Sequence, residues 1–263
     1  MKLIILIALF SKLAFAQTGL EIMQKVDARD DGDSLTSTMQ MVLIDKQGKK
    51  RIRTMQTFSK DIDANTEHSS VFFLSPTDVK NTAFLTFDYS DDNKDDDQWM
   101  YLPALKKTKR IPASDKDSAF MGSDFTYSDM TDKNLDNYTF KLIKESKIKR
   151  KDAVHPVWVI ESLPVSQAVI DETGYTKSIL YIRKDNYVLT RAKFYLKKAS
   201  RLKYMDVRKL EKIDGIWVAT QTTMTTKQGK HTLHKTILNN SNIKMNKTVD
   251  DAMFSIRMIE KGL

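Results

Sequence analysis

The sequence predicts a mainly β protein, a curved, incomplete antiparallel β-barrel covered by an N-terminal helix and a short helical lid. Three observations carry this. Apolar residues alternate with polar ones at period two through most of the chain, turn signals separate the runs at short intervals, and only two stretches have helical character.

Residues 19–29 come first. Leu20, Met23 and Val26 recur at helical spacing, and the Asp30-Asp31-Gly32 turn ends the helix. Met39, Met41 and Leu43 then share one face of a strand that turns at Lys46-Gln47-Gly48 into a partner, Arg51 to Phe58. Further strands are expected at 71–74, 83–87, 99–102 and 107–111. A long meander follows at 138–148, 154–162, 175–182, 188–196, 202–213, 216–226 and 231–243. Val188, Thr190, Ala192, Phe194 and Leu196 lie on one side of their strand, with Leu189, Arg191, Lys193, Tyr195 and Lys197 on the other. A dozen such strands, wet outside and covered inside, curl rather than stay flat. The second helical stretch, Ala119 to Leu135, offers Ser123 as an N-cap, Asp124 in a first turn, and apolar Phe120, Met121, Phe125, Tyr127 and Met130 for a lid or plug. A loop packed on the core is the other reading of that stretch. No linker or internal repeat divides the chain, so residues 17–263 are expected to form a single domain.

Residues 1–16 read as a signal peptide. Leu3 to Phe10 is an apolar run, Ala14-Phe15-Ala16 suits a signal peptidase, and Lys12 interrupts a run too short to span a bilayer. The expected location is the periplasm. There is no cysteine, hence no disulfide and no lipidated N-terminal cysteine. Loss of Lys2 and Lys12 takes the formal charge from +9 to +7. In that compartment a basic surface points to anionic lipid or a membrane face before nucleic acid, and Tyr195, Lys193, Lys197, Lys198, Arg201, Lys203 and Tyr204 read as a solvated outer face.

The stretch "WMYLPALKKTKRI", residues 99–111, sets Trp99, Met100, Tyr101 and Leu102 beside Lys106, Lys107, Lys109 and Arg110. One row of the strand can bury toward a cavity while the other packs under a lid, with the cations at the rim to meet an anionic headgroup. The bland alternative is a packed aromatic pair and a charged edge that resists aggregation. All methionines but Met1 follow the signal peptide, and Met121, Met130 and Met253 fall in covering segments, where a thioether adapts to varied shapes.

Enzyme chemistry finds little support. No glycine-framed serine elbow, GxGxxG or P-loop is present, so no cofactor is expected. His231 and His234 are three apart in a strand and face opposite sides, while His68 and His155 open strands as turn or edge residues; no metal site follows. The run "SDDNKDDDQ", 90–98, lacks the glycine and glutamate of a calcium loop and reads as a solvated hairpin tip.

The order of several elements resembles the outer-membrane lipoprotein-sorting, LolA-like family associated with RND-type exporters. They are Ser75-Pro76 ahead of Ala83-Phe84-Leu85, Gln98-Trp99-Met100-Tyr101-Leu102-Pro103, Arg110-Ile111, Phe120-Met121-Gly122-Ser123-Asp124-Phe125, Tyr127 with Asp129, "IDGIWVAT", and the ending "DDAMFSIRMIEKG". The resemblance implies an apolar cavity for acyl chains and no catalysis. Its site would comprise Trp99, Met100, Tyr101, Leu102, Phe120, Met121, Phe125 and Met130, with Lys106, Lys107, Lys109 and Arg110 at the rim. It further implies lipid or lipoprotein cargo taken from an inner-membrane RND-type exporter towards an outer-membrane acceptor. An envelope-stress sensor or adaptor that binds lipoprotein and signals to a membrane partner, and an outer-membrane assembly factor that binds protein strands at its edge, are the alternatives.

Overall fold

The computed structural model describes residues 17–90, 94–150, 153–198 and 200–263, so the signal peptide expected at 1–16 and part of the 90–98 loop lie outside the described residues. Helix α1 (Gly19–Asp27) is opened by a capping box in which the Thr18 hydroxyl accepts from the Glu21 amide and the Glu21 carboxylate accepts from the Thr18 amide. Six strands follow: β1 (Ser34–Asp45), β2 (Lys50–Asp63), β3 (Thr66–Ser75), β4 (Ala83–Tyr89), β5 (Asp97–Leu102) and β6 (Lys107–Arg110). After a connecting segment come β7 (Tyr138–Lys149), β8 (Val154–Pro164), helix α2 (Gln167–Thr173), β9 (Tyr175–Arg183), β10 (Leu189–Leu196), β11 (Arg201–Ile213), β12 (Ile216–Gln228), β13 (His231–Met245) and helix α3 (Ile256–Lys261).

All thirteen strands form one antiparallel sheet in the order β6-β5-β4-β3-β2-β1-β13-β12-β11-β10-β9-β8-β7. The chain thus runs out to one edge, crosses over, and returns from the other until β13 pairs with β1. Edge strands β6 and β7 do not pair, so the sheet stays open. Its hairpins use the turns that the local sequence favours. Asp45 accepts from the amides of Gln47 and Lys49 at 2.9 Å each, and Asp214-Gly215 both take positive φ between β11 and β12, as a two-residue hairpin requires.

The alternation read from the sequence holds: in β10, Thr190, Ala192 and Phe194 are buried while their neighbours are half-exposed. Two apolar clusters share the inner face. One contains α1 residues Ile22 and Met23 with Ile160, Leu180, Ile182, Ala192 and Phe194; the other contains Met41, Leu43, Met55, Phe73, Phe84 and Met100; Met130 and Leu238 touch both. A third cluster lies on the outer face, where Phe72, Ala83 and Leu85 meet Phe254 and Ile259 of the C-terminal segment. The β3–β5 part of the sheet is therefore covered on both sides.

Three expectations need correction. The 119–135 stretch is no α-helix: it forms short 3-10 turns at Phe120–Gly122, Tyr127–Met130 and Leu135–Asn137. Met121 (φ 49°) and Gly122 (φ 71°) break any helix there, and Ser123 ends the first turn instead of capping a new one. The N-cap role falls to Thr126, in a capping box with Asp129. The described part of the acidic hairpin is also engaged rather than simply solvated, since Asp96 accepts from the Tyr89 amide and Asp97 pairs with Arg110. Finally, His68 opens β3 but is no edge residue, because its ring stacks on Phe87 at 3.8 Å. Two short helices escaped the sequence reading, α2 and α3, which begin at Ser166 and Ser255 as N-caps.

Candidate functional site, an apolar inner face under a strapped cover

Residues 119–135 lie across the inner face and join its two clusters. Phe120 is 2% exposed, with its ring 5.1 Å from that of Phe84 and 5.7 Å from that of Tyr127. Met121 and Tyr127 pack on the cluster of β1–β5, Phe125 enters the cluster under α1, and Met130 touches both. Six methionines, Met39, Met41, Met55, Met100, Met121 and Met130, surround this junction. Unbranched thioethers repack at low cost, so this face tolerates changes in what it covers.

The cover is not woven into the sheet; its backbone bonds run within itself, as at the Ala119–Thr126 bridge, and to Lys116 and Ser118 just before it, while side chains tie it to the strands. The Arg53 guanidinium donates to the Met121 carbonyl, and the Gln98 amide donates to the Tyr127 carbonyl at 2.9 Å. Asp124 is the deepest strap. Its carboxylate, 2% exposed, lies 2.7 Å from His234 Nδ1 and accepts from the hydroxyls of Thr236, at 2.7 Å, and Thr226, while its own amide donates to Thr236. Farther along, Tyr175 donates to Asp129 at 2.8 Å and itself accepts from the buried Lys203 ammonium, and the Asp132 amide donates to Asp88. Burial holds the cationic forms of Arg53 and Lys203 at a disadvantage, lowering both pKa values, and pushes the Tyr175 phenol well up. Lys116, 2% exposed just before the cover, reaches Glu172 of α2 at 2.7 Å and Asp96 at 3.9 Å.

The sequence-derived site residues separate. Met100 and Leu102 face the cover, together with Phe120, Met121, Phe125 and Met130. Trp99 and Tyr101 point the other way and pack with the outer cluster under the C-terminal segment, as does Met253. The cations divide likewise. Lys107 and Lys109 stand opposite Leu102 and Met100 in the β5–β6 register, on the cover side of the edge, whereas Arg110 stands opposite Trp99 and is paired with Asp97. Lys106 occupies the intervening turn at φ 47°. Arg53, Gln98, Asp124, Lys203 and His234 were missed as a set. Arg53 and Gln98 left a trace, polar groups at the same parity as Met55 and Met100 and thus on an apolar face; Lys203, read as part of the solvated outer face, is buried instead, and Asp124 and His234 left no local trace.

The space expected for an acyl chain is occupied by the cover's own side chains. A separate cavity of about 450 Å³ adjoins the cover and is polar, walled by Asp27, Asp88, Asp96, Asp129, Asp132 and Glu172 among others. Next to it, burial and neighbouring carboxylates push Glu67 up to about 8, and burial with Asp96 pushes Asp88 up to about 7. No group of three or more histidine and carboxylate side chains suited to a metal occurs among the described residues.

Comparison with known proteins agrees with this architecture. A model for the DUF1329-like family of uncharacterized proteins matches residues 65–261. A DUF1329 family protein from Desulfovibrio piger is 29% identical, with a TM-score of 0.81 over 91% of this chain and 96% of that one. A candidate outer membrane lipoprotein-sorting protein domain from Vibrio parahaemolyticus is 32% identical, with a TM-score of 0.81 over 92% and 98%. A LolA superfamily protein from Nitrosomonas europaea shares the fold at 19% identity and a TM-score of 0.67, over 92% and 99%. No functionally curated protein matches.

Proposed function

This chain belongs to the DUF1329-like family, and on that premise we propose that it is a periplasmic carrier that sequesters the acyl chain of a lipid or lipoprotein on its inner face. In this reading it does no covalent chemistry. Cargo passes from an inner-membrane exporter of the RND type, is held under the 119–135 cover, and is released towards the outer membrane.

The observation that carries the reading is the separability of the cover. Phe120, Met121, Phe125 and Met130 fill an apolar face, yet the segment is tied down by a few side-chain hydrogen bonds, not by strand pairing. Lifting it exposes apolar surface, and an acyl chain restores the loss in kind. At about 0.8 kcal/mol per buried methylene, a sixteen-carbon chain returns on the order of 10 kcal/mol, comparable to what the cover gives up. Met100 and Leu102 would line the chain's path, with Lys107 and Lys109 on the same side of the β6 edge for an anionic headgroup. The likeness to the candidate lipoprotein-sorting domain of Vibrio parahaemolyticus supports the cargo class.

The absence of cysteine makes the test clean. Met121→Cys can be labelled at one position with an environment-sensitive dye and titrated with lysophospholipid. Carrier function predicts a saturable red shift as the dye leaves the inner face; an unchanged spectrum with no bound lipid would overturn it.

A further inference from the structure

The outer face of the sheet is treated unequally. Across β3–β6 it lies beneath the C-terminal segment, whereas across β9–β13 it presents Tyr181, Tyr195 and Tyr204, which belong to none of the three apolar clusters. Each of these rings carries a cation. Lys193 lies 4.4 Å and Lys177 4.7 Å from the centre of the Tyr195 ring, Lys227 lies 5.6 Å from that of Tyr204, and Arg191 lies 5.9 Å from that of Tyr181. The register puts these groups side by side: Lys193 opposite Tyr204, Tyr195 opposite Lys177, Arg191 opposite Tyr181, and Lys235 opposite Thr225, itself the partner of Tyr204.

The carboxylates on this face do not balance it. Glu161 is taken up by Lys177 at 3.4 Å. Asp206 receives three guanidinium groups, from Arg150 at 2.5 Å, Arg208 at 3.0 Å and Arg191 at 3.6 Å, and can neutralise only one of them. The result is a broad cationic surface with half-buried phenols set between the charges. A pocket would concentrate such charges on one ligand; here they are spread over five strands, as a planar array of anions requires. Tyrosine and lysine side chains with apolar stems and polar tips suit the headgroup layer of a bilayer.

We propose that the outer face of β9–β13 docks on an anionic phospholipid surface. Docking would hold the protein to a bilayer through a face opposite the one that takes cargo, leaving the cover free to open. The proposal does not rest on the carrier reading, since attachment requires no occupied inner face.

Flotation of the mature chain with vesicles of phosphatidylglycerol and phosphatidylethanolamine, against vesicles of phosphatidylcholine, tests it. The chain is expected to float with the anionic vesicles alone and to be released as salt rises from about 50 mM to 500 mM, where screening is within about 5 Å. Each cation near such a surface contributes roughly fivefold, so Lys193→Gln, Lys227→Gln and Lys235→Gln together should weaken binding about 100-fold. The same charge change at Lys80, Lys247 and Lys261, away from this face, should weaken it less than fivefold. A circular-dichroism melt verifies that both triple variants are folded, and lysophospholipid uptake by the first variant separates docking from cargo binding. Equal flotation with neutral vesicles, no flotation with either, or equal losses in both triple variants would overturn the proposal. So would retention of this face by an acidic protein in place of vesicles.

Discussion

Replacing Asp124 by alanine removes the strap that ties the cover to β12 and β13. Its carboxylate is engaged by Thr226, His234 and Thr236, and the other ring nitrogen of His234 is already buried without a partner. The substitution strands three donors at once, Thr236 buried and Thr226 and His234 half-buried. Each buried polar group left without a partner costs about 1–3 kcal/mol, so the loss is a large share of the roughly 5–15 kcal/mol that stabilises a domain. Because the cover pairs with no strand of the sheet, the cost should fall on it first. Hydrogen exchange read by mass spectrometry should show the amides of 119–131 exchanging about 100-fold faster or more, while those of β1–β4 stay close to wild type. Asp124→Asn keeps one acceptor oxygen, and a change of His234 tautomer can accommodate the new amide, so its loss should be about 1–2 kcal/mol. If Asp124→Ala leaves exchange in 119–131 within threefold of wild type, the cover is held by something other than this strap and the reasoning fails.

Other perturbations probe the remaining parts. Arg53→Met keeps the apolar stem and removes the donor to the Met121 carbonyl; binding of a hydrophobic dye to the inner face should rise severalfold, as measured by fluorescence. Gly19→Ala would bring a methyl group to 2.8 Å from the Phe140 backbone carbonyl, so α1 must lift from β7, at a cost of about 1–3 kcal/mol in urea unfolding. Lys116→Ala removes the buried cation from Glu172, whose carboxylate is 34% exposed and stays hydrated, so the loss of the charged hydrogen bond should cost about 1–3 kcal/mol in the same assay. The raised pKa values of Glu67, about 8, and Asp88, about 7, make stability depend on pH. The unfolded chain releases these protons near pH 4 while the folded chain keeps them, so their contribution is fully present below pH 4 and is lost as pH rises through 7 to 8. Thermal melts should therefore show higher stability at pH 5 than at pH 8, and Glu67→Gln should flatten that slope.

Much of the sheet was legible because period-two burial writes itself into single strands. Thr190, Ala192 and Phe194 alternate with Arg191, Lys193 and Tyr195 in plain view, and the parity that separates Met100 and Leu102 from Trp99 and Tyr101 was equally visible. Which of those rows meets the cover was not visible, because it depends on where the C-terminal segment docks, some 150 residues later. Phe120, Phe125 and Met130 invited a helical reading that the left-handed Met121-Gly122 pair prevents. Helix α2 did carry signals, Ser166 ahead of it and Gly174 in a left-handed cap, but at seven residues it is too short to show a periodicity. The strap at Asp124 was beyond sequence reading altogether: its partner His234 is 110 residues away, and no local pattern records a contact made only when β13 returns beside β1.

The central claim is that the inner face holds an acyl chain when the cover lifts. Native mass spectrometry of the protein purified from cell envelopes, followed by organic extraction, tests it most directly. One acyl-bearing molecule per chain, lost when Phe120 and Phe125 are replaced by bulkier tryptophan, is the predicted result. An empty protein that takes up no fluorescent fatty acid, even as the Asp124→Ala variant with its cover released, would contradict the account and make the inner face a closed core.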